Sequence, residues 1–228
     1  MTSPYPYPVT NSDIIRHHSL DKHFEGGYFS QTVSLESSSS STGPNSEALK
    51  GRKQSAWGPG TVLTGGKEDG TPGEDVDATV IYYLLTPDSY RGRMHMNLHS
   101  VRGLPCFCVV EADIDQHIHL LHTGRALYTL IEPPSSPGQK PTIHRIILGH
   151  DVTRREVSQL FVPGGWWKAS EIPEEDRLLL EAPDLEGLKD KIGCLISEVV
   201  IPGWNPDQHV FIDEEKVSDL EAAAGDMS

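Results

Sequence analysis

Long hydrophobic runs are missing from this sequence. No stretch approaches the ~18 consecutive apolar residues that a membrane-spanning helix needs, so an anchor of that kind is not expected. Basic residues are scarce as well: 19 Lys and Arg face 33 Asp and Glu, a formal net charge of −14 over 228 residues. That imbalance argues against nucleic acids and anionic membranes as partners. Cysteine occurs three times, an odd number that does not make a disulfide framework. Cys106 and Cys108 lie two apart in an apolar stretch and read as buried free thiols. The opening residues, MTSPYPYPVT, lack the basic and apolar regions of a secretory signal. These absences lead to the expectation of a cytoplasmic protein. Strands do not alternate with helices, and no Gly-rich phosphate loop opens a helix, so a nucleotide-binding fold is not expected.

What is present is a series of short strands. Thr79–Leu85, Arg91–Leu98, Cys106–Val110, His117–His122, Ala126–Ile131, Thr142–Leu148, Leu160–Val162 and Gly193–Ile201 are apolar or alternating runs. Turn signals such as Thr123-Gly124-Arg125 and Pro202-Gly203 separate them. Short strands at this spacing predict an all-β sandwich or barrel. Helical candidates are few: one near Asp13, one over Pro183–Lys191 and one over Glu214–Ala224. The length suits one domain, residues 13–212, between a flexible N-terminus (1–12) and an acidic tail (213–228) that reads as solvated surface. Inside the domain, residues 36–77 contain a run of serines, many glycines and few apolar side chains. Such a stretch buries too little surface to offset its ordering entropy, so it reads as a long flexible loop. Trp57, alone in it, is the feature that favours a lid over a pocket.

Two motifs stand out. In EVSQLFVPGGWWKAS (Glu156–Ser170), Pro163 ends a strand because it has no N–H for the ladder, and Gly164-Gly165 permits a sharp turn. Trp166 and Trp167 then need an apolar environment or a ligand. The other motif, His23-Phe24-Glu25-Gly26-Gly27-Tyr28-Phe29, leads into a strand over Tyr28–Leu35. With Thr79–Leu85, His117-Ile118-His119-Leu120-Leu121, Leu148-Gly149-His150-Asp151 and Val200-Ile201-Pro202-Gly203-Trp204, they occur in one order over residues 23 to 212. In that order they resemble a cupin-like family of uncharacterised proteins with an HPEGGYF-type start. The resemblance implies a single double-stranded β-helix, or jelly-roll barrel, with a pocket inside, and a homodimer.

Departures from the family pattern bear on chemistry. The family's strand-turn-strand that supplies His and Glu groups corresponds here to Met94–Phe107, with His95 on the first histidine. Arg102-Gly103 replaces an acidic pair, Cys106 replaces the second histidine, and Lys168 stands where metal-binding cupins place a late histidine. A barrel without metal or other cofactor is therefore expected. Iron or zinc would require two imidazoles and a carboxylate, which His95 with His99, or His117 with His119, could begin to supply. His117 and His119, however, alternate with Ile118 and Leu120 and read as a solvated face. Cys106, between Pro105 and Phe107, shows no cue for a lowered pKa and reads as inert.

Proton transfer is the chemistry left. His95 is the candidate base, since an unperturbed imidazole titrates near neutral pH. Glu198, inside the last apolar strand, points either to solvent or into the pocket, where desolvation would raise its pKa and suit it to act as an acid. Tyr28, Tyr83, His99, Cys106 and Gln159 are candidate substrate contacts, and Trp167 is an apolar wall expected to share one cavity with His95 and Glu198. The expected function is a cofactor-independent isomerase, cyclase or lyase acting on a small, mostly apolar molecule. A metal-dependent dioxygenase-like cupin and a non-catalytic small-molecule binder are the alternatives. One expectation concerns the loop. Replacing residues 36–77 by a short Gly/Ser linker should shift the melting temperature by only a few degrees, since little surface is lost. Collapse of the fold would instead make the segment structural.

Overall fold

The computed structural model describes residues 5, 7–36, 63–64, 76–98, 116–179, 188–204, 208–213 and 215–217. The first helix, α1 (Asn11–His18), starts where the Thr10 hydroxyl accepts a hydrogen bond from the Asp13 amide at 3.0 Å. It ends at Ser19, whose left-handed backbone breaks the helical path. Asn11 is buried and its Nδ2 donates to the Ile192 carbonyl at 2.9 Å. Tyr5 and Tyr7 are buried too, and the Tyr5 hydroxyl donates to the Gly193 carbonyl at 2.8 Å. Within the expected flexible N-terminus (1–12), of which residues 1–4 and 6 lie outside the described residues, the Pro-rich composition concealed two tyrosines that pack into the core.

The strands follow in chain order: β1 (Asp21–Lys22), β2 (Tyr28–Glu36), β3 (Leu63–Thr64), β4 (Val76–Leu85), β5 (His95–Asn97), β6 (Gln116–Gly124), β7 (Ala126–Glu132), β8 (Thr142–Leu148), β9 (Gln159–Pro163) and β10 (Trp167–Glu171). Then come α2 (Glu174–Leu178), β11 (Cys194–Ile201) and β12 (His209–Phe211). One sheet has the order β1-β2-β4-β11-β6-β9, with β3 added parallel to β2; the other runs β12-β5-β10-β7-β8. All other pairings are antiparallel, and the two sheets form the all-β jelly roll. Leu84, Leu85, Leu130, Leu148, Val162, Ile172, Ile192 and Ile196 are fully buried. Each such side chain contributes about 1.5–3 kcal/mol.

Most expected strands are present within a residue or two. Three were not foreseen in or after the loop: β3, which pairs inside the expected loop, and β10 and β12, which flank β5. The Cys106–Val110 strand and Trp57 lie outside the described residues, as do most of the expected C-terminal helices. Residues 188–191 form a 3-10 turn and residues 215–217 one helical turn. No helix among the described residues is long and apolar enough to cross a membrane.

The β6–β7 hairpin turns on Gly124 (φ +80°), where an added Cβ would sit 1.8 Å from the Gly193 carbonyl oxygen. Beside it Arg125, 2% exposed, meets Glu156 and Asp176 through Nε at 3.4 Å each, and Glu175 through its terminal nitrogen. Removing the guanidinium would strand buried carboxylates. Arg125→Met is therefore expected to cost about 3–5 kcal/mol, read as a fall in the urea midpoint. A near-neutral effect would show that the carboxylates are protonated or solvated in the folded state.

Candidate functional site

A cavity of about 280 Å³ lies between the sheets. That is near the lower end of the range for small-molecule sites. Period-two alternation selects its walls: Ile81 and Tyr83 from β4, His117 and His119 from β6, and Ile196, Glu198 and Val200 from β11. The register of β11 sets Glu198 between Ile81 and His119. Across the cavity, β10 pairs with β5 so that Lys168 stands beside His95. Phe29, Tyr128, Trp204 and Ser170 complete much of the lining.

The first polar centre is built on Glu198. Lys168 Nζ donates to Glu198 Oε1, and His117 Nδ1 lies 2.8 Å from both Lys168 Nζ and Glu198 Oε1. Ammonium, imidazole and carboxylate thus form a closed triangle of close polar contacts. His119 follows, its Nε2 3.8 Å from Glu198 Oε1 and its Nδ1 3.2 Å from the Tyr128 hydroxyl. Burial pushes the Glu198 pKa up, but the Lys168 charge, His119 and the His117 hydrogen bond outweigh it and hold the carboxyl well below its usual range. This corrects the expected direction: Glu198 faces the cavity as an ionised group rather than an acid. Burial also depresses His117 and takes His119 down to about 3, so both rings are neutral. Their expected solvated face is corrected with it, since both are buried.

A second centre gathers around Glu25. The EGG turn delivers it: Gly26 has φ +104°, and a Cβ there would lie 2.2 Å from the Arg91 carbonyl oxygen. Glu25 is 2.9 Å from His209 Nε2, 3.6 Å from His95 Nδ1 and 3.8 Å from His23 Nδ1. His95 Nδ1 donates to the Arg93 carbonyl at 2.9 Å, so the free lone pair is on Nε2. Burial lowers the His95 pKa to about 4 despite the nearby Glu25 charge. His95 is therefore neutral over a wider pH range than an ordinary imidazole. Trp204 Nε1 donates to His209 Nδ1 at 3.2 Å, which fixes the proton of that ring on Nε2.

Two triplets have the donor types of a metal centre: His117, His119 and Glu198, and Glu25, His95 and His209, each with ligand atoms within 4.8 Å of one another. Neither fits a metal as folded. In the first, the Lys168 ammonium contacts two of the three donors, so a dication would meet a positive charge at close range. In the second, coordination through His209 Nε2 needs a lone pair there, which the donor-only Trp204 N–H denies.

His95, Glu198 and Tyr83 line the cavity, as the sequence suggested. Tyr28, Gln159 and Trp167 do not. Tyr28 turns away to donate to Asp88 at 2.8 Å, and Gln159 is exposed. Trp167 packs instead against the apolar cluster of Met94, Ile131, Ala169 and Val217, while its neighbour Lys168 and Ser170 line the cavity. His99 and Cys106 lie outside the described residues. Sequence reasoning missed Glu25, His209 and the role of Lys168. The first sat in a motif used only for recognition, the second in an unpatterned segment, and Lys168 was read as a missing histidine.

Known proteins share this arrangement of elements. The family model described as cupin superfamily (DUF985) matches residues 12–102 and 106–212. The uncharacterized protein YML079W of Saccharomyces cerevisiae is 31% identical over 213 residues, 93% of this chain and 80% of the yeast protein. A hypothetical protein from Leishmania major superposes with a TM-score of 0.57 at 19% identity, over 94% of this chain and 93% of that one. Protein SO0799 from Shewanella oneidensis does so with 0.57 at 15% identity, over 95% of each chain. At these identities the two structures speak for the fold alone. The donor chemistry makes its own prediction: purified protein should carry well under one equivalent of iron, zinc, manganese or nickel. A stoichiometric metal that resists dialysis, found by elemental analysis, would overturn both proton assignments above.

Proposed function

This chain belongs to the DUF985 family of the cupin superfamily, and from that premise we propose that it is a cofactor-independent enzyme of isomerase, cyclase or lyase type. Its substrate is a small, mostly apolar organic molecule held in the barrel. One observation carries the reading: a buried Lys168–Glu198–His117 triangle and a neutral His95 line the same largely apolar cavity. An inert binding pocket has no need of a buried ion pair, whose desolvation is costly.

The roles follow from the protons. His95 Nε2 takes a proton from the substrate, and the Lys168 ammonium supplies one at a second atom. For an isomerisation the composition is unchanged, and for a lyase or cyclase step the second proton goes to the leaving or closing atom. Glu198 holds Lys168 in place by accepting its hydrogen bond, and His117 can pass a proton within the triangle. Tyr83 and Tyr128 are kept protonated by burial and add neutral walls. A homodimer in the cytoplasm is part of the same reading.

Native mass spectrometry of freshly purified protein should reveal a bound organic molecule together with the oligomeric state. In D₂O the wild-type protein should exchange a carbon-bound hydrogen of that molecule, and His95→Ala or Glu198→Gln should slow the exchange about 10²–10⁴-fold with the fold intact. Return of the molecule unlabelled by the wild type would leave a non-catalytic binder. The pH dependence has a definite sign. Because His95 acts as a base when neutral and its pKa is lowered to about 4, the rate should hold on acidification to about pH 4 and then fall. A fall centred near the ordinary imidazole value would assign the base elsewhere.

A further inference from the structure

Among the described residues two carboxylates line the cavity, and only one of them has a lysine or arginine beside it. Glu198 is paired with Lys168, whereas the described residues set only histidines against Glu25. Trp204 decides the charge of the closest one. Its N–H donates to His209 Nδ1, so that nitrogen keeps its lone pair and the ring is neutral. His95 is neutral through burial, with Nδ1 committed to the Arg93 carbonyl. Among the described residues no lysine or arginine is paired with Glu25, although its side chain is only 11% exposed. Charges buried to this extent in proteins are normally answered by an opposite charge.

We propose that the missing charge arrives with the ligand: an organic cation, such as a protonated amine, whose apolar body fills the cavity while its nitrogen lies against Glu25. The surrounding rings suit it. Phe24 and Trp204 both pack edge-on against His209, with centroids 6.5 and 5.9 Å away, and both are exposed at the cavity. Aromatic faces attract ammonium groups and repel carboxylates. A metal ion would answer the same charge, but it needs the Nε2 lone pair that Trp204 removes. The inference rests on the cavity as a small-molecule site and not on catalysis there.

Titration calorimetry of the full chain with benzylammonium, benzyl alcohol, benzoate and Zn²⁺ tests it. Benzylammonium should bind about tenfold or more tightly than benzyl alcohol, with benzoate weakest. Glu25→Gln should bring benzylammonium and benzyl alcohol close together. Trp204→Phe, which keeps Glu25 but removes the N–H that holds His209 Nδ1, should also narrow the gap, so the proposal stays testable if the first variant does not fold. Equal binding of the amine and the alcohol by wild type, tighter binding of benzoate, no binding of any of the three at millimolar concentration, or a stoichiometric Zn²⁺ site lost in Glu25→Gln would each overturn it. Preference for the amine without hydrogen exchange in D₂O would uphold this inference and remove the enzymatic reading.

Discussion

A lysine ammonium held inside a barrel against a glutamate is costly unless both charges are closely matched, because water that solvated them has been removed. The Lys168–Glu198 contact meets that condition across the interior, from β10 of one sheet to β11 of the other. It constrains much else. Lys168 faces inward only if β10 keeps its register with β5 and β7, and Glu198 only if β11 keeps its register between β4 and β6. A slip of one residue in either strand would send one charge to the outer face and leave the other unanswered. The pair therefore fixes alignment as well as chemistry, and it draws His117 and His119 into the same centre.

The two centres differ in how they are made. The first sits on long central strands with neighbours on both sides, which hold side chains closely. The second is assembled from a turn after α1, the short β5, and the short β12. Its carboxylate is delivered by a glycine turn and its histidines by the edge strand β12, its neighbour β5 and the segment before the turn. The first centre thus bridges the two sheets through paired strands, while the second is gathered from shorter elements at one end of the cavity lining.

Much of the fold was legible because its signals are local. Alternating runs and Gly/Pro turns marked β2, β4, β6, β7, β8, β9 and β11, and the ordered motifs supplied the jelly roll. β3, β10 and β12 escaped because β3 and β12 are two or three residues long and β10 opens on Trp167 directly after Trp166, a pair that masks its alternation. The site was half legible. His95 came from motif position and Glu198 from its oddity in an apolar strand. Trp167 was assigned by the turn that precedes it, yet the sequence held the correction: Lys168 occupies a pocket histidine's position, and successive strand residues point to opposite faces. The lowered Glu198 pKa could not be read from sequence, since it depends on a cation thirty positions away. Glu25 and His209 meet through more than 180 intervening residues, a contact that no local pattern encodes.

The buried tyrosine near the start of the chain bears on how the protein is made. The Tyr5 hydroxyl reaches a carbonyl 188 positions later, and Asn11 reaches one 181 positions later. During synthesis these early residues emerge long before their partners exist. These contacts form only after residues 192 and 193 have left the ribosome. Contacts over such separations make folding depend on non-local pairing, a class of topology that folds slowly. The nascent chain therefore spends that interval with its N-terminal aromatic groups uncovered, and it depends on whatever shields them.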